Sequence, residues 1–168
     1  MPGPERDSLD AINLPTLEKT FAVNTYGPLL LTQALLPNIL ESESPRLGFM
    51  SSRVGSITDN SSGGSYSYRA SKTALNSICK NLSVELKDKG VVVVVMHPGI
   101  VKVHVSGYEC ISHPIANQPQ TPLLPSDEVP KEAVEPEEAA SKLYKILVSK
   151  GLEDSGKFWH REGQELPW

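Results

Sequence analysis

Two side chains in the segment "SYSYRASKTAL" (residues 65–75) are spaced for acid–base chemistry. Tyr68 and Lys72 stand four positions apart, and residues at that spacing share one face of a helix. A phenol titrates at about 10 when unperturbed. An ammonium within a few ångströms stabilises the phenolate and draws the group toward proton transfer near neutrality. The same spacing also suits an ordinary amphipathic surface pair, so a second feature has to decide between the two. Ser51-Ser52, in "SSRVGS", follows a short apolar run. A hydroxyl leaving the C-terminal edge of a sheet lies where open α/β sheets bind ligands, and it can hold a carbonyl oxygen. The other reading of Ser52 is a turn serine bonded to its own backbone.

Periodicity and turn residues supply the elements that must carry these groups. From Leu17 to Leu40 apolar residues recur at helical spacing, and Gly27-Pro28 predicts a kink midway. "PRLGFMSS" predicts a brief strand delivering Ser51 and Ser52, and residues 56–65 predict a loop. A second helix is predicted from about Ser67 to Lys89, with Leu75, Ile78, Leu82 and Leu86 on one stripe and Gly90 capping its end. The β-branched run in "VVVVVMHPG" is too short for a membrane helix and reads as a central strand covered on both faces. Residues 112–136 hold six prolines and few apolar side chains, which predicts an irregular loop or lid over a substrate. A third helix is expected over Glu137–Ser149, then a last short strand in "GKFWHR". Alternating helix and strand predicts an α/β fold: parallel strands, right-handed crossovers, helices on both faces.

The chain has 168 residues, the length of one domain, and a net charge of −4 with both signs interspersed. That leaves no basic face for nucleic-acid phosphates or anionic lipid heads, so neither nucleic acid nor membrane is an expected partner. "MPGPERDSLDAINLPT" lacks an apolar run, and the expectation is a soluble cytoplasmic protein. Cys79 and Cys110 have no metal-ligand spacing and fit a reducing compartment. His97 reads as structural and His104 as a loop residue. His113 and His160 have no partners at ligand spacing, so no metal site is expected.

Four segments, in order, resemble the short-chain dehydrogenase/reductase family. "FAVNTYGPLLLTQALLP" is similar to its Asn-x-x-Gly helix, "MSSRVGSI" to its Ser-x-x-Gly segment, "YSYRASKTALN" to its catalytic helix and "VVVVVMHPGIV" to its Pro-Gly strand end. "SYRASKTALNSICKNLSVELKDKG" and the ending "GKFWHREGQELPW" are most similar to the C-factor-like branch, which includes sniffer-type carbonyl reductases. The resemblance covers nearly the whole chain apart from the Pro-rich segment. It implies the C-terminal part of a Rossmann-type doubly wound parallel sheet, a three-layer α/β/α arrangement. It also implies an oxidoreductase using NADP or NAD, with NADP favoured, on a small-molecule carbonyl or secondary alcohol.

Carried over by position, the resemblance makes Asn24 the residue whose helix kink holds a proton-relay water. Asn24 alternatively satisfies broken helix bonds beside Gly27-Pro28. Ser52 would bind and polarise the substrate oxygen, and Tyr68 would be the general acid–base. Lys72 would lower the tyrosine pKa and bond the nicotinamide ribose. Pro98, Gly99, Ile100 and Val101 would approach the nicotinamide, Gly99 by leaving no side chain in the way. The family's two long helices imply a homodimer.

Two departures accompany the resemblance. No glycine-rich phosphate-binding turn precedes Asn24, where the only glycine is Gly3. Val103 stands where relatives commonly place a cofactor-bonding threonine, and His104 where an acid is frequent. The expectation is therefore a single partial Rossmann-like domain over residues 1–168, without the N-terminal nucleotide-binding strands. By analogy with the family's strand order, the strand ending at Ser52 would expose an unpaired edge and one helix face. A second expectation is a catalytically inactive member acting as an interaction protein, or a gene-model fragment.

Overall fold

In the computed structural model, which describes residues 6–105, 108–112 and 130–168, helix α1 spans Leu14–Phe21. A π-helical turn, Ala22–Tyr26, joins it to α2, Gly27–Leu40. Strand β1 (Arg46–Met50) follows, then α3 (Tyr66–Glu85) and β2 (Val92–His97). A hairpin of β3 (Val101–Val105) and β4 (Tyr108–Ser112) comes next. Helix α4 (Pro136–Ser149), β5 (Lys157–His160) and β6 (Glu165–Leu166) complete the order.

The valine run is central, as its composition predicts: every residue of β2 is buried. β1 and β5 flank it in parallel, with Phe49 opposite Val95 and His97 opposite His160. Successive side chains of a strand face opposite sides, and the core divides accordingly. Val91, Val93 and Val95 pack with Phe49, Phe158, Leu75 and Cys79 on the α3 side. Val92, Val94 and Met96 pack with Trp159 and Leu143 on the α4 side. Each such buried side chain contributes about 1.5–3 kcal/mol, so a doubly covered strand is favoured over any alternative for this run. The result is three layers, α/β/α.

Several details differ from the sequence reading. The long helix changes pitch one turn before Gly27-Pro28, where the Gly27 N–H reaches back to the Ala22 carbonyl. A Cβ on Gly27 would lie 3.1 Å from that oxygen, so a residue without one fits the widened turn. Pro28 then occupies the start of α2, where its missing N–H costs nothing. The sheet is parallel at its centre and antiparallel at β6, giving the order β1-β2-β5-β6. Of the Pro-rich region, residues 113–129 lie outside the described residues. Residues 130–135 run beside β3, where the Lys102 N–H donates to the Val134 carbonyl at 2.9 Å. Among the described residues no helix is long and apolar enough to cross a membrane.

Among the described strands β1 pairs only with β2. Beside it Met50, Leu31 and Leu35 are exposed.

Candidate active site

β1 delivers its last residue, Met50, beside the first turns of α3, and the chain continues through Ser51 and Ser52 into a tight 3-10 turn, Arg53–Gly55. Ser52 is 1% exposed. Its hydroxyl accepts the Val54 N–H at 3.4 Å, and it lies near enough to the Tyr68 phenol to favour the ionised form. The turn reading of Ser52 therefore holds, and the same side chain faces Tyr68. The serine–glycine spacing has a steric cause: a Cβ on Gly55 would sit 2.8 Å from the Lys72 Cβ. Only a glycine lets the turn lie flat on α3. The Thr73 hydroxyl donates to the Gly55 carbonyl at 2.8 Å and fixes that contact.

Tyr68 and Lys72 share the helix face their spacing predicts, with the Lys72 Nζ 5.8 Å from the centroid of the tyrosine ring. The ammonium donates to the Met50 carbonyl at 2.9 Å, which ties α3 to the end of β1. Ser52, Tyr68 and Lys72 thus converge on one strand end. Their titration differs from the first expectation. Burial pushes the Tyr68 phenol above its ordinary value, and the Ser52 hydroxyl only partly opposes this. Burial likewise depresses the Lys72 ammonium. Desolvation disfavours both charged forms and is the largest influence on each.

Asn24 lies in the π-helical turn, and its side-chain amide donates across to the Ser71 hydroxyl at 3.1 Å. Ser71 in turn donates to the Tyr68 carbonyl at 2.8 Å, while the Thr25 hydroxyl donates to the Ser71 carbonyl at 2.9 Å. The Asn24 side chain thus ties the π-helical turn to α3. Asn24 and Lys72 both line an apolar groove of about 570 Å³ between α2 and β1, walled by Leu31, Leu35, Phe49 and Met50. The lining of that groove does not include Ser52 or Tyr68.

Two residues the sequence reading passed over also shape the site. Asp7 is 2% exposed. Its carboxylate accepts the N–H groups of Ser67 at 2.6 Å and Tyr68 at 3.1 Å. Those groups open α3, and an opening helix leaves its first N–H donors without intrahelical partners. Ser65 stands in the left-handed region and makes no side-chain cap. Asp7 caps the helix from some sixty residues away, so no local spacing reveals it. Arg161 follows β5 at the level where Pro98 follows β2, since His97 and His160 are in register. Comparing strand ends in the sequence exposes that juxtaposition.

The second strand end is a tight turn. Gly99 has φ +68, and a Cβ there would meet the Arg161 guanidinium at 2.3 Å. The close approach that makes glycine necessary is therefore to Arg161, on the side a side chain would occupy. Pro98 and Val101 are half-buried and Ile100 is buried. Val101 begins β3 and bridges to Val134. The side chain of His104, like those of the neighbouring residues 103–105 and 108–112, lies outside the described atoms. Among the described residues no cluster of His, Cys, Asp or Glu could hold a metal ion.

A family model described as short chain dehydrogenase matches residues 4–109. C-signal of Myxococcus xanthus is 30% identical over 161 residues, an alignment covering 96% of this chain and 84% of that protein. The 1-hydroxy-2-glutathionyl-2-methyl-3-butene dehydrogenase of Rhodococcus sp. (strain AD45) is 33% identical over 162 residues, covering 96% of this chain and 63% of that one. Among solved structures, the NADPH-bound carbonyl reductase from chicken fatty liver superposes with a TM-score of 0.77 at 27% identity. That superposition covers 96% of this chain and 61% of that structure's. Carbonyl reductase Sniffer of D. melanogaster gives 0.75 at 28% identity, covering 95% and 60%. The chain thus spans somewhat less than two thirds of the length of both solved structures and of the Rhodococcus relative.

Proposed function

The chain belongs to the short-chain dehydrogenase family, and from that premise we propose an oxidoreductase of the carbonyl-reductase type, interconverting a carbonyl and a secondary alcohol. The observation that carries this reading is the convergence of Ser52, Tyr68 and Lys72 at the end of β1. In the reduction direction the Ser52 hydroxyl orients and polarises the substrate oxygen. Tyr68 donates its phenolic proton as charge develops on that oxygen, where a fixed donor is most effective. Burial keeps the phenol protonated, which suits it to act as the acid.

NADP is the proposed cofactor, favoured over NAD because the chicken carbonyl reductase structure holds NADPH. When bound, the nicotinamide supplies the hydride. The residues at hand fit its ribose and ring. Lys72 spends one N–H on Met50 and an ammonium has three, leaving donors for ribose hydroxyls. Pro98, Gly99, Ile100 and Val101 form the facing turn. Asn24, bonded to the catalytic helix through Ser71, is the proposed anchor of a proton-relay water. No residue of this chain is proposed for the dinucleotide phosphates, because the sequence holds no glycine-rich turn ahead of Asn24.

Residues 1–168 are read as one partial Rossmann-like domain, with the Pro-rich segment at 112–136 contacting substrate. Cytoplasmic location and membership of the C-factor-like branch complete the proposal. The exposed apolar residues of the π-helical turn, α2 and α3, Val23, Leu30 and Tyr66 among them, support self-association of the two long helices. The same exposed apolar faces favour a second reading, a catalytically inactive member acting as an interaction protein, or a gene-model fragment. Titration with NADPH, followed by nicotinamide fluorescence, decides between them. Saturable binding with carbonyl-dependent consumption of NADPH supports the enzyme, and a folded protein that does neither overturns it.

A further inference from the structure

We propose that Arg161 is a positioning residue that sets the turn facing the nicotinamide and closes the base of the excursion between residues 100 and 132. This rests on the cofactor reading above. The guanidinium is nearly buried, at 6% exposure. Its Nη1 donates to the carbonyls of Pro98 at 2.6 Å and Ile100 at 2.8 Å. Its Nη2 donates to the Glu132 carbonyl at 2.7 Å. Its Nε bonds Glu162 at 3.2 Å, and the Arg161 backbone N–H donates to the His97 carbonyl at 3.0 Å.

The three carbonyls come from both ends of one excursion. Residues 98 and 100 leave β2, the hairpin follows, and residue 132 returns toward α4. A planar fork of five N–H donors can satisfy several fixed acceptors at once, whereas a lysine presents a single mobile nitrogen. The carbonyls point inward at the fork, so the peptide groups of the turn are held from behind. Gly99 belongs to the same device: at φ +68, with the guanidinium where a Cβ would stand, it admits the fork. Charge is balanced on the far side, since Glu162 also pairs with Lys142 at 2.8 Å, and Lys142 with Glu138. The backbone amides that report the clasp are those of Lys102 and Val134, which bond the carbonyls of Val134 and Ile100.

The test is Arg161→Lys, which keeps the cation and removes the fork. By hydrogen exchange the Lys102 and Val134 amides should exchange at least about tenfold faster, while those of Val92 and Gly156, bonded to Pro45 and Val93, stay within about threefold. The NADPH dissociation constant should rise about tenfold while the phenolic limb of the pH–rate profile stays in place, because Tyr68 is held by other elements. Unchanged exchange, loss of protection throughout, or local loss with unchanged NADPH affinity each overturns the proposal. Failure of the unaltered protein to bind NADPH counts instead against the cofactor reading. It is told apart because the exchange comparison uses no cofactor.

Discussion

The two ends of the sheet are finished differently. At one end β6 pairs back on β5, and Trp168 stacks on Phe158 at 5.8 Å between ring centroids. At the other end β1 has a partner on one side only among the described strands, and leucines of α2 stand in solvent beside it. Yet the acid–base side chains cluster at β1. Backbone groups along an open edge remain available for pairing, and the groove beside them reaches Asn24 and Lys72. Aromatic packing closes one end of the sheet, and the proposed acid–base residues gather at the other. A segment lying along β1 would therefore affect the site more than the core.

Substitutions at the two ends separate these roles. Replacing Tyr68 with Phe removes the proton donor and should lower turnover by about 10²–10⁴-fold. Chemical denaturation should show little loss of stability in the same variant. Phe158→Ala empties a fully buried position and should lower unfolding free energy by about 3–5 kcal/mol. Comparable stability losses from both variants would erase the distinction. Asp7→Ala leaves two N–H donors of α3 without their acceptor. It should cost about 1–3 kcal/mol and reduce turnover as well, because the freed turn carries Tyr68.

A smaller effect concerns pH. A phenol held above its ordinary value in the folded state contributes stability that is present below about pH 10 and lost as pH rises through the folded value. The alkaline limb of the reduction rate should lie on the same high side. In Ser52→Ala it should move higher still, since that hydroxyl is what lowers the phenol. A phenol that titrates near neutrality in the protein without cofactor, followed by ultraviolet absorbance, would show that the ammonium of Lys72 outweighs burial after all.

Much of this arrangement was legible because it follows from local periodicity. The valine run announced a doubly covered strand, and the four-residue spacing of Tyr68 and Lys72 announced a shared face. The hairpin matches the alternation of "VKVHV", but a run of five residues ahead of a proline-rich segment is a weak strand signal. β6 is two residues long, too short for any period. Asp7 and Arg161 act across about sixty residues; nothing local marks Asp7, and only its place after β5, in register with the end of β2, marks Arg161. The direction of the Tyr68 shift is hidden from sequence for a similar reason. Sequence spacing brings a cation near, but how much water the fold removes is set by elements distant in the chain.

The gentlest test lies on the groove itself. Leu31 is 61% exposed and lines the space beside β1. Leu31→Ser removes little buried surface, so its denaturation midpoint should stay within the range of an ordinary surface change, about 0.5 kcal/mol. Exposed apolar surface beside an unpaired edge nonetheless attracts apolar partners. The same variant should therefore bind an apolar fluorescent dye less than the parent does. A large loss of stability would mean that Leu31 is covered in solution, and the contrast between a closed and an open end of the sheet would fall with it.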